Sequence, residues 1–395
     1  MDPARALVLC AALPLVLLAQ VDGAQPVSHG DDGRPNRAAE VCSDPPADSL
    51  RLPRPDVAGY QPSPPLKIYG SGDHLIEKRL FQPKAGEYAI RIDEHSQGRV
   101  IIRNCVFAGA GGAAQDGLNA TAGGGILAWK SSHLTIENNY FEFLRGFCIR
   151  VLGVKDQPAS DIRVSGNDLF CLQAEFQEKT EWGWTADGIQ FIRVAGPGNL
   201  IARNRCLNLP GRSYLTDYIN VYCSSGTTES PLLIRDNVLI GAGAGGLYNQ
   251  YGCGIQLNDH PQDEDGGQYV RAENNLLIDP GVVGMNINGG LAAAMVGNRI
   301  LMAHTIRTNL RSDPPRDGYT WAATTLFNYS GGISRDSGHE VRGNRTAFRA
   351  PRSSPAFVNK TNPPDTVVAD NEWQAALDWP RLARESLSSP AFKQP

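Results

Sequence analysis

Ile136-Glu137-Asn138-Asn139-Tyr140-Phe141 decides how this chain folds. Apolar residues alternate into a short polar link, an Asn sits in the link, and apolar residues resume. The same frame recurs in Ile102-Arg103-Asn104-Cys105-Val106-Phe107 and in Val164-Ser165-Gly166-Asn167-Asp168-Leu169-Phe170. Further copies centre on Asn204, Asn237, Asn275, Asn298, Asn344 and Asn371, so the pattern occurs nine times. The marked residues are as close as 23 positions (Asn275 to Asn298) and as far apart as 46 (Asn298 to Asn344). A short unit therefore carries insertions of variable length.

Alternation marks strands, because successive side chains on a strand point to opposite faces. Self-similarity along the chain marks a repeat protein. A sharp corner between two strands needs one residue in the left-handed region, which Asn tolerates better than most residues. Stacked coil on coil, such Asn side chains can bond to one another in a ladder. The expectation is an all-β solenoid, a right-handed parallel β-helix of about nine coils, each rising ~4.8 Å, about 40 Å in all.

Composition agrees. Of 395 residues, 42 are Gly and 27 Pro, only 4 are Met and 20% are charged, unlike a Leu- and Lys-rich helical protein. A solenoid grows along its axis, so one elongated domain accommodates about 300 residues without a single oversized core. A net charge of −4 argues against a nucleic-acid partner.

Residues 1–23 read as a secretory signal. Arg5 supplies the positive start, Ala6 to Ala19 an apolar stretch too short to span a bilayer, and Val21-Asp22-Gly23 a cleavage site. The mature chain is expected to be secreted or periplasmic, with no membrane partner. Residues 24–66, ending in Pro62-Ser63-Pro64-Pro65, read as a Pro-rich leader. The β-helix is expected over 67–371, with Tyr69 to Val100 covering its first edge. In 372–395, the spacing of Trp373, Leu377 and Leu382 predicts a helix over Glu372 to Glu385 that caps the C-terminal face, interrupted at Pro380. Seven Cys would remain after cleavage. Cys148 with Cys171 and Cys206 with Cys223 are possible bridges, and buried stacked thiols are the alternative.

A second strand recurs in each unit: Gly125-Ile126-Leu127, Cys148-Ile149-Arg150, Gly188-Ile189-Gln190, Tyr218-Ile219-Asn220, Gly254-Ile255-Gln256 and Gly284-Met285-Asn286. With the Ile/Met column inward, Leu127, Arg150, Gln190, Asn220, Gln256 and Asn286 form an outward column. Two residues on lie Ile192, Tyr222, Asn258 and Asn288. Amides, a Tyr and an Arg match sugar hydroxyls and pyranose faces, so this exposed sheet predicts a polysaccharide groove. The other reading is an ordinary solvated face. Arg193, Lys130 and His133 are further candidates as anchors or bases.

Two residues before the inward Ile, Asp187, Asp217 and Cys253 form a column. Close carboxylates share a proton, the setting for general acid and base work on a glycosidic bond. Asp259, with Asp263 and Asp265 in the acidic loop that follows, offers oxygen ligands suited to Ca²⁺.

Over about Val100 to Asn371 the repeats resemble the pectate-lyase-like superfamily of right-handed β-helices. Thr185-Ala186-Asp187-Gly188-Ile189, Thr216-Asp217-Tyr218-Ile219 and Gly252-Cys253-Gly254-Ile255 fall in the order of the polygalacturonase motifs. That resemblance implies Asp187 and Asp217 as two of three catalytic carboxylates. Thr216 stands in place of the third, Cys253 replaces the family's His, and no Arg-Ile-Lys equivalent is present.

The expected function is a secreted polysaccharide hydrolase or lyase, with Asp187 and Asp217 reacting. Arg150, Gln190, Arg193, Asn220, Tyr222, Gln256, Asn258 and Asn286 would hold the glycan. A non-catalytic glycan-binding or adhesion module is the alternative reading, and a polymer-level uronate epimerase a third. Fold does not separate them, because function lives in the site.

Overall fold

The computed structural model describes residues 50–109, 122–172, 175–176, 184–185, 187–209, 215–241, 253–258, 267–278, 280, 283–302, 322–326, 338–348, 357–359, 367–374 and 379–388. All of them lie in one compact unit, Pro46–Pro395.

Among the described residues, three long parallel sheets of eleven, ten and ten strands form the solenoid, and Glu175–Phe176 pairs antiparallel with Trp184–Thr185 in a separate small sheet. The first circuit shows how they arise. Gln61–Ser63 enters sheet A, Leu66–Ser71 sheet B and His74–Glu77 sheet C, and then Arg79–Phe81 returns to sheet A beside Gln61–Ser63. The chain repeats this A-to-B-to-C circuit, pairing each strand with its counterpart one coil away. Parallel strands joined by such crossovers wind right-handed. The fold is the right-handed parallel β-helix that the sequence predicts. Nine strands of sheet A follow a marked corner. Gln61–Ser63 and Arg79–Phe81 are the two that precede them, and they extend the helix beyond the expected nine coils.

Inward residues stack into one continuous core, including Ile90, Ile126, Ile149, Ile189, Ile219 and Ile255 down sheet B. Phe81, Phe107 and Phe141 stack in the same core from sheet A, with centroids 5.0 and 4.4 Å apart. Full burial of each such side chain contributes about 1.5–3 kcal/mol.

The corner from sheet C to sheet A holds the Asn ladder, and its geometry corrects the sequence reading. The left-handed residue is the one before each ladder residue: Asn104, Asn138, Arg203, Asp236, Asn274 and Asp370, with Gly166, Gly297 and Gly343, have φ from 52° to 65°. The ladder residue earns its place by hydrogen bonding instead. Asn237 donates its backbone N–H and its Nδ2 to Asn275 Oδ1 at 3.0 and 2.9 Å. Its Nδ2 also donates to the Ile201 carbonyl, and its Oδ1 accepts from the N–H and Nδ2 of Asn204. In the first marked copy Asn104 makes only the bend, and Cys105 holds the ladder position, its N–H reaching Asn139 Oδ1 at 2.9 Å.

Sheet A also presents a second, outer apolar face. Val106, Tyr140, Phe170, Leu207, Val238, Ile240, Leu276 and Ile278 are buried there together with Leu50, Leu52 and Leu387. Leu50 and Leu52, expected in a leader, thus pack on the helix, and Gln61–Ser63 and Glu372–Gln374 are strands of sheet A beyond the expected limits. The C-terminal helix occupies Trp379–Ser388, not Glu372–Glu385. Pro380 is the second residue of this helix, as a residue without a backbone N–H can be in the first turn. The helix lies along sheet A, not across the C-terminal face: Arg205 Nη1 donates to the Leu387 carbonyl at 2.9 Å, five strands before the end of the sheet. The same guanidinium grips Asp168 in a bidentate pair at 2.6 and 2.5 Å. Cys105, Cys148 and Cys206 are free thiols, so neither of the two possible bridges forms.

Candidate functional site

The site is built on the outer face of sheet B. Register pairs Leu127, Arg150, Gln190, Asn220, Gln256 and Asn286 side by side in consecutive strands, the column expected from sequence. Asp93, Trp129, Leu152, Ile192 and Tyr222 align two residues on. A polar column therefore runs beside a stripe that is mostly apolar, to which Trp129 and Leu152 contribute although the sequence reading passed over them. The signal that would have found them was the register itself, extended two coils toward the N-terminus.

Asp187 and Asp217 pair directly across adjacent strands. Strict alternation would point them inward with Ile189 and Ile219. Tyr218 breaks the alternation: both it and Ile219 are buried in the core, and the Tyr218 hydroxyl bonds the Ile240 carbonyl. A Cβ on Gly188, the equivalent residue one coil earlier, would likewise meet core Leu169 at 3.5 Å. Two inward residues in succession bring the preceding Asp out beside the amide three residues on. Asp187 Oδ2 accepts from Gln190 Nε2 at 2.7 Å, and Asp217 Oδ2 from Asn220 Nδ2 at 2.8 Å. The second oxygen of each accepts a backbone N–H from the next coil, that of Asp217 at 3.2 Å and that of Cys253 at 3.0 Å.

The same i, i+3 spacing continues on either side. Phe147 stands two residues before Ile149, as Asp187 stands before Ile189, and the Arg150 guanidinium lies 3.9 Å over its ring. Burial lowers the Arg150 pKa from its ordinary value, opposed by the Tyr88 hydroxyl, which is hydrogen-bonded to it, and by the Asp187 charge. On the other side Gln256 Oε1 accepts from Asn286 Nδ2 at 3.2 Å, and that amide also reaches Asn288 Oδ1 at 2.6 Å.

The outer face is not the open solvated sheet that alternation suggests. Gln190 is 9% exposed, Asn220 6% and Gln256 3%. Yet one polar atom on each of four consecutive coils is buried without a partner: Arg150 Nε, Gln190 Oε1, Asn220 Oδ1 and Gln256 Nε2. Native proteins pair the great majority of such atoms.

The other candidates divide. Tyr222 flanks the column in register. Arg193 sits at the corner leaving sheet B, with φ 51°, and its backbone N–H bonds the Tyr222 carbonyl. Asn258 is also at a corner, φ 52°, and turns against the backbone of Gly267 and Gly290 instead of lining the face. Lys130 reaches Glu94 at 3.6 Å across the Trp129 ring, and His133 pairs with Asp161 at 3.0 Å, so neither joins the column. Asp259, Asp263 and Asp265, the proposed Ca²⁺ ligands, lie outside the described residues. Among the described residues no three His, Cys, Asp or Glu side chains gather as a metal cluster, and no helix is long and apolar enough to cross a membrane.

No family model matches this chain, and no curated protein matches it by sequence. Solved structures do resemble it. An alginate lyase from Paenibacillus sp. str. FPU-7 is 11% identical over 74% of this chain and 88% of its own, with a TM-score of 0.36. Pectate lyase Pel9A is 12% identical over 82% of this chain and 75% of its own, with a TM-score of 0.33. Tailspike protein 3 of bacteriophage CBA120 is 8% identical over 81% of this chain and 57% of its own, with a TM-score of 0.27.

Proposed function

We propose that this chain is a carbohydrate-active protein that lays one polysaccharide strand along the outer face of sheet B and cleaves it across the adjacent coils of Arg150 and Asp187. The observation that carries this reading is the run of buried, unpaired polar atoms on Arg150, Gln190, Asn220 and Gln256. It lies beside Trp129, Leu152, Ile192 and Tyr222. A sugar offers what both rows lack: hydroxyls that donate and accept, and C–H faces that cover apolar and aromatic surface. The coil spacing of ~4.8 Å suits an extended polymer lying along the axis.

Cleavage belongs where charge is concentrated. The Arg150 guanidinium is hydrogen-bonded to the Tyr88 hydroxyl and feels the Asp187 charge from the next coil. In hydrolysis, one carboxyl of the Asp187–Asp217 pair protonates the leaving oxygen while the other draws a proton from the attacking water. In elimination, Arg150 neutralises a sugar carboxylate, a base removes the neighbouring ring proton and the leaving oxygen departs as a double bond forms. A secretory route through residues 1–23 would bring the protein to such polymers.

A binding module without cleavage is the second reading. It is favoured by one observation: both oxygens of Asp187 and of Asp217 already hold hydrogen bonds.

The test is incubation of the mature chain, with and without Ca²⁺, against neutral and acidic polysaccharides, following reducing ends and unsaturated-uronate absorbance. Either product, lost in Arg150→Ala and Asp187→Ala, supports cleavage across these two coils. Retention of a polymer with neither product replaces cleavage with binding. Failure to bind or cleave any polymer overturns the carbohydrate reading.

A further inference from the structure

We infer that Asp187 and Asp217 are positioning residues that fix which way the neighbouring amides face, and so set the hydrogen-bond polarity with which sheet B reads its glycan. This rests on the glycan reading of that face and goes beyond it, since it gives the two carboxylates a role other than acid and base.

An amide side chain has one donor end and one acceptor end, and either can point at a ligand. A carboxylate accepts only. Asp187 therefore takes the Nε2 end of Gln190 at 2.7 Å, and Oε1 is the atom left unpaired. Asp217 takes the Nδ2 end of Asn220 at 2.8 Å, and Oδ1 is left unpaired. One coil on, the column carries Cys253 in place of the Asp. There Gln256 is held the other way round, with Oε1 accepting from Asn286 and Nε2 unpaired. One coil back, where the spacing puts Phe147, the unpaired atom is the Arg150 Nε donor. Acceptors are left unpaired on the two coils with Asp, and donors on the two without. The face thus reads donor, acceptor, acceptor, donor. The matching ligand presents a negative or acceptor oxygen at Arg150, hydroxyl protons over Gln190 and Asn220, and an acceptor oxygen at Gln256.

Two carboxylates that only started strands would tolerate Asn, which keeps the shape and an oxygen for the next coil's N–H. Polarity would not tolerate it. In Asp217→Asn the new Oδ1 still serves the Cys253 N–H, but its Nδ2 now faces Asn220, which turns over and presents a donor. Adding Asn220→Asp restores the pattern, because the new carboxylate accepts from residue 217 and shows an oxygen outward.

The experiment measures binding of the full mature chain to polygalacturonate, alginate and a neutral β-glucan, each native and O-methylated. Side-chain amide proton exchange of residues 190 and 220 is followed by NMR on the same proteins. Asp217→Asn is expected to weaken binding of the native polymer about tenfold to a hundredfold and to erase the preference over the O-methylated form. The Asp217→Asn/Asn220→Asp swap is expected to recover both to within a few fold. Equal binding and unchanged hydroxyl preference in Asp217→Asn overturn the inference, as does a swap no better than the single variant. If no polymer binds the wild type, the glycan reading fails by itself, and the amide protons still decide the orientation. Slow exchange of the Asn220 Nδ2 protons, lost in Asp217→Asn, upholds the carboxylate lock, and exchange unchanged by the substitution overturns it.

Discussion

Two stacks of amides lie on this solenoid, and they differ in what they leave over. At the corner between sheets C and A, Asn237 uses both Nδ2 protons and both lone pairs of Oδ1, and Asn204 and Asn275 make the equivalent bonds. On the outer face of sheet B, Gln190, Asn220 and Gln256 are almost as deeply buried, yet each keeps one polar atom unpaired. A fully paired buried network rigidifies its surroundings, while a partly paired one costs stability unless a ligand completes it. The first row holds the coils in register, and the second carries the proposed binding face.

The contrast breaks most readily by substitution in each row. Asn237→Ala strips four side-chain hydrogen bonds from a buried ladder and is expected to lower stability by about 3–4 kcal/mol. Asn220→Ala is expected to cost less than about 2 kcal/mol and to abolish glycan binding. Denaturant midpoints and affinities for the pair check this, and equal stability losses would erase the distinction between the rows.

A buried charge pair sharpens the comparison on sheet A. Arg205→Met leaves Asp168 without its guanidinium and the Leu387 carbonyl without its donor, an expected loss of about 3 kcal/mol. Release of the C-terminal helix to limited proteolysis before global unfolding is the accompanying readout.

Acid response is a smaller effect with a definite sign. Burial raises the Asp168 pKa above 3.8 despite Arg205, and raises that of Glu142 above 4.5 despite Arg54. Each folded state then holds its proton more tightly than the unfolded chain. The stabilisation they supply is complete below those ordinary values and fades as pH rises through the raised ones. The Asp168→Asn variant is expected to show a shallower decline of stability over that window in pH-dependent denaturation.

The smallest effect concerns the thiols. Burial pushes Cys105 up to about 11 and raises Cys148 and Cys206 well above 9.0. The thiolate is the reactive form, so alkylation at pH 8 is expected to spare these three until the protein unfolds. Mass spectrometry of the labelled native chain checks it.

Much of the fold was legible because a solenoid writes each coil in local sequence. The Asn frame located the corners, and the Ile column located sheet B and its neighbours Arg150, Gln190, Asn220 and Gln256. What escaped depended on single-residue departures from the period. The successive inward residues Tyr218 and Ile219 redirect Asp217, and no alternation rule announces that. Asn104 and Asn138 look like ladder residues but make the bend, because Asn suits both places and only the hydrogen bonds tell them apart. The C-terminal helix was misplaced for another reason: its partner, Arg205, is remote in sequence and carries no local mark.

That remoteness has a consequence for how the molecule is made. Every coil closes on a neighbour at most a few dozen residues away, so the solenoid can assemble behind the advancing chain as it leaves the ribosome. The bond from Arg205 to Leu387 spans 182 residues. The guanidinium and its Asp168 partner must therefore wait, uncovered, through the synthesis of nearly half the protein. A nascent chain halted early would carry that charged pair bare on an apolar face, a lesion that distinguishes an unfinished copy from a finished one.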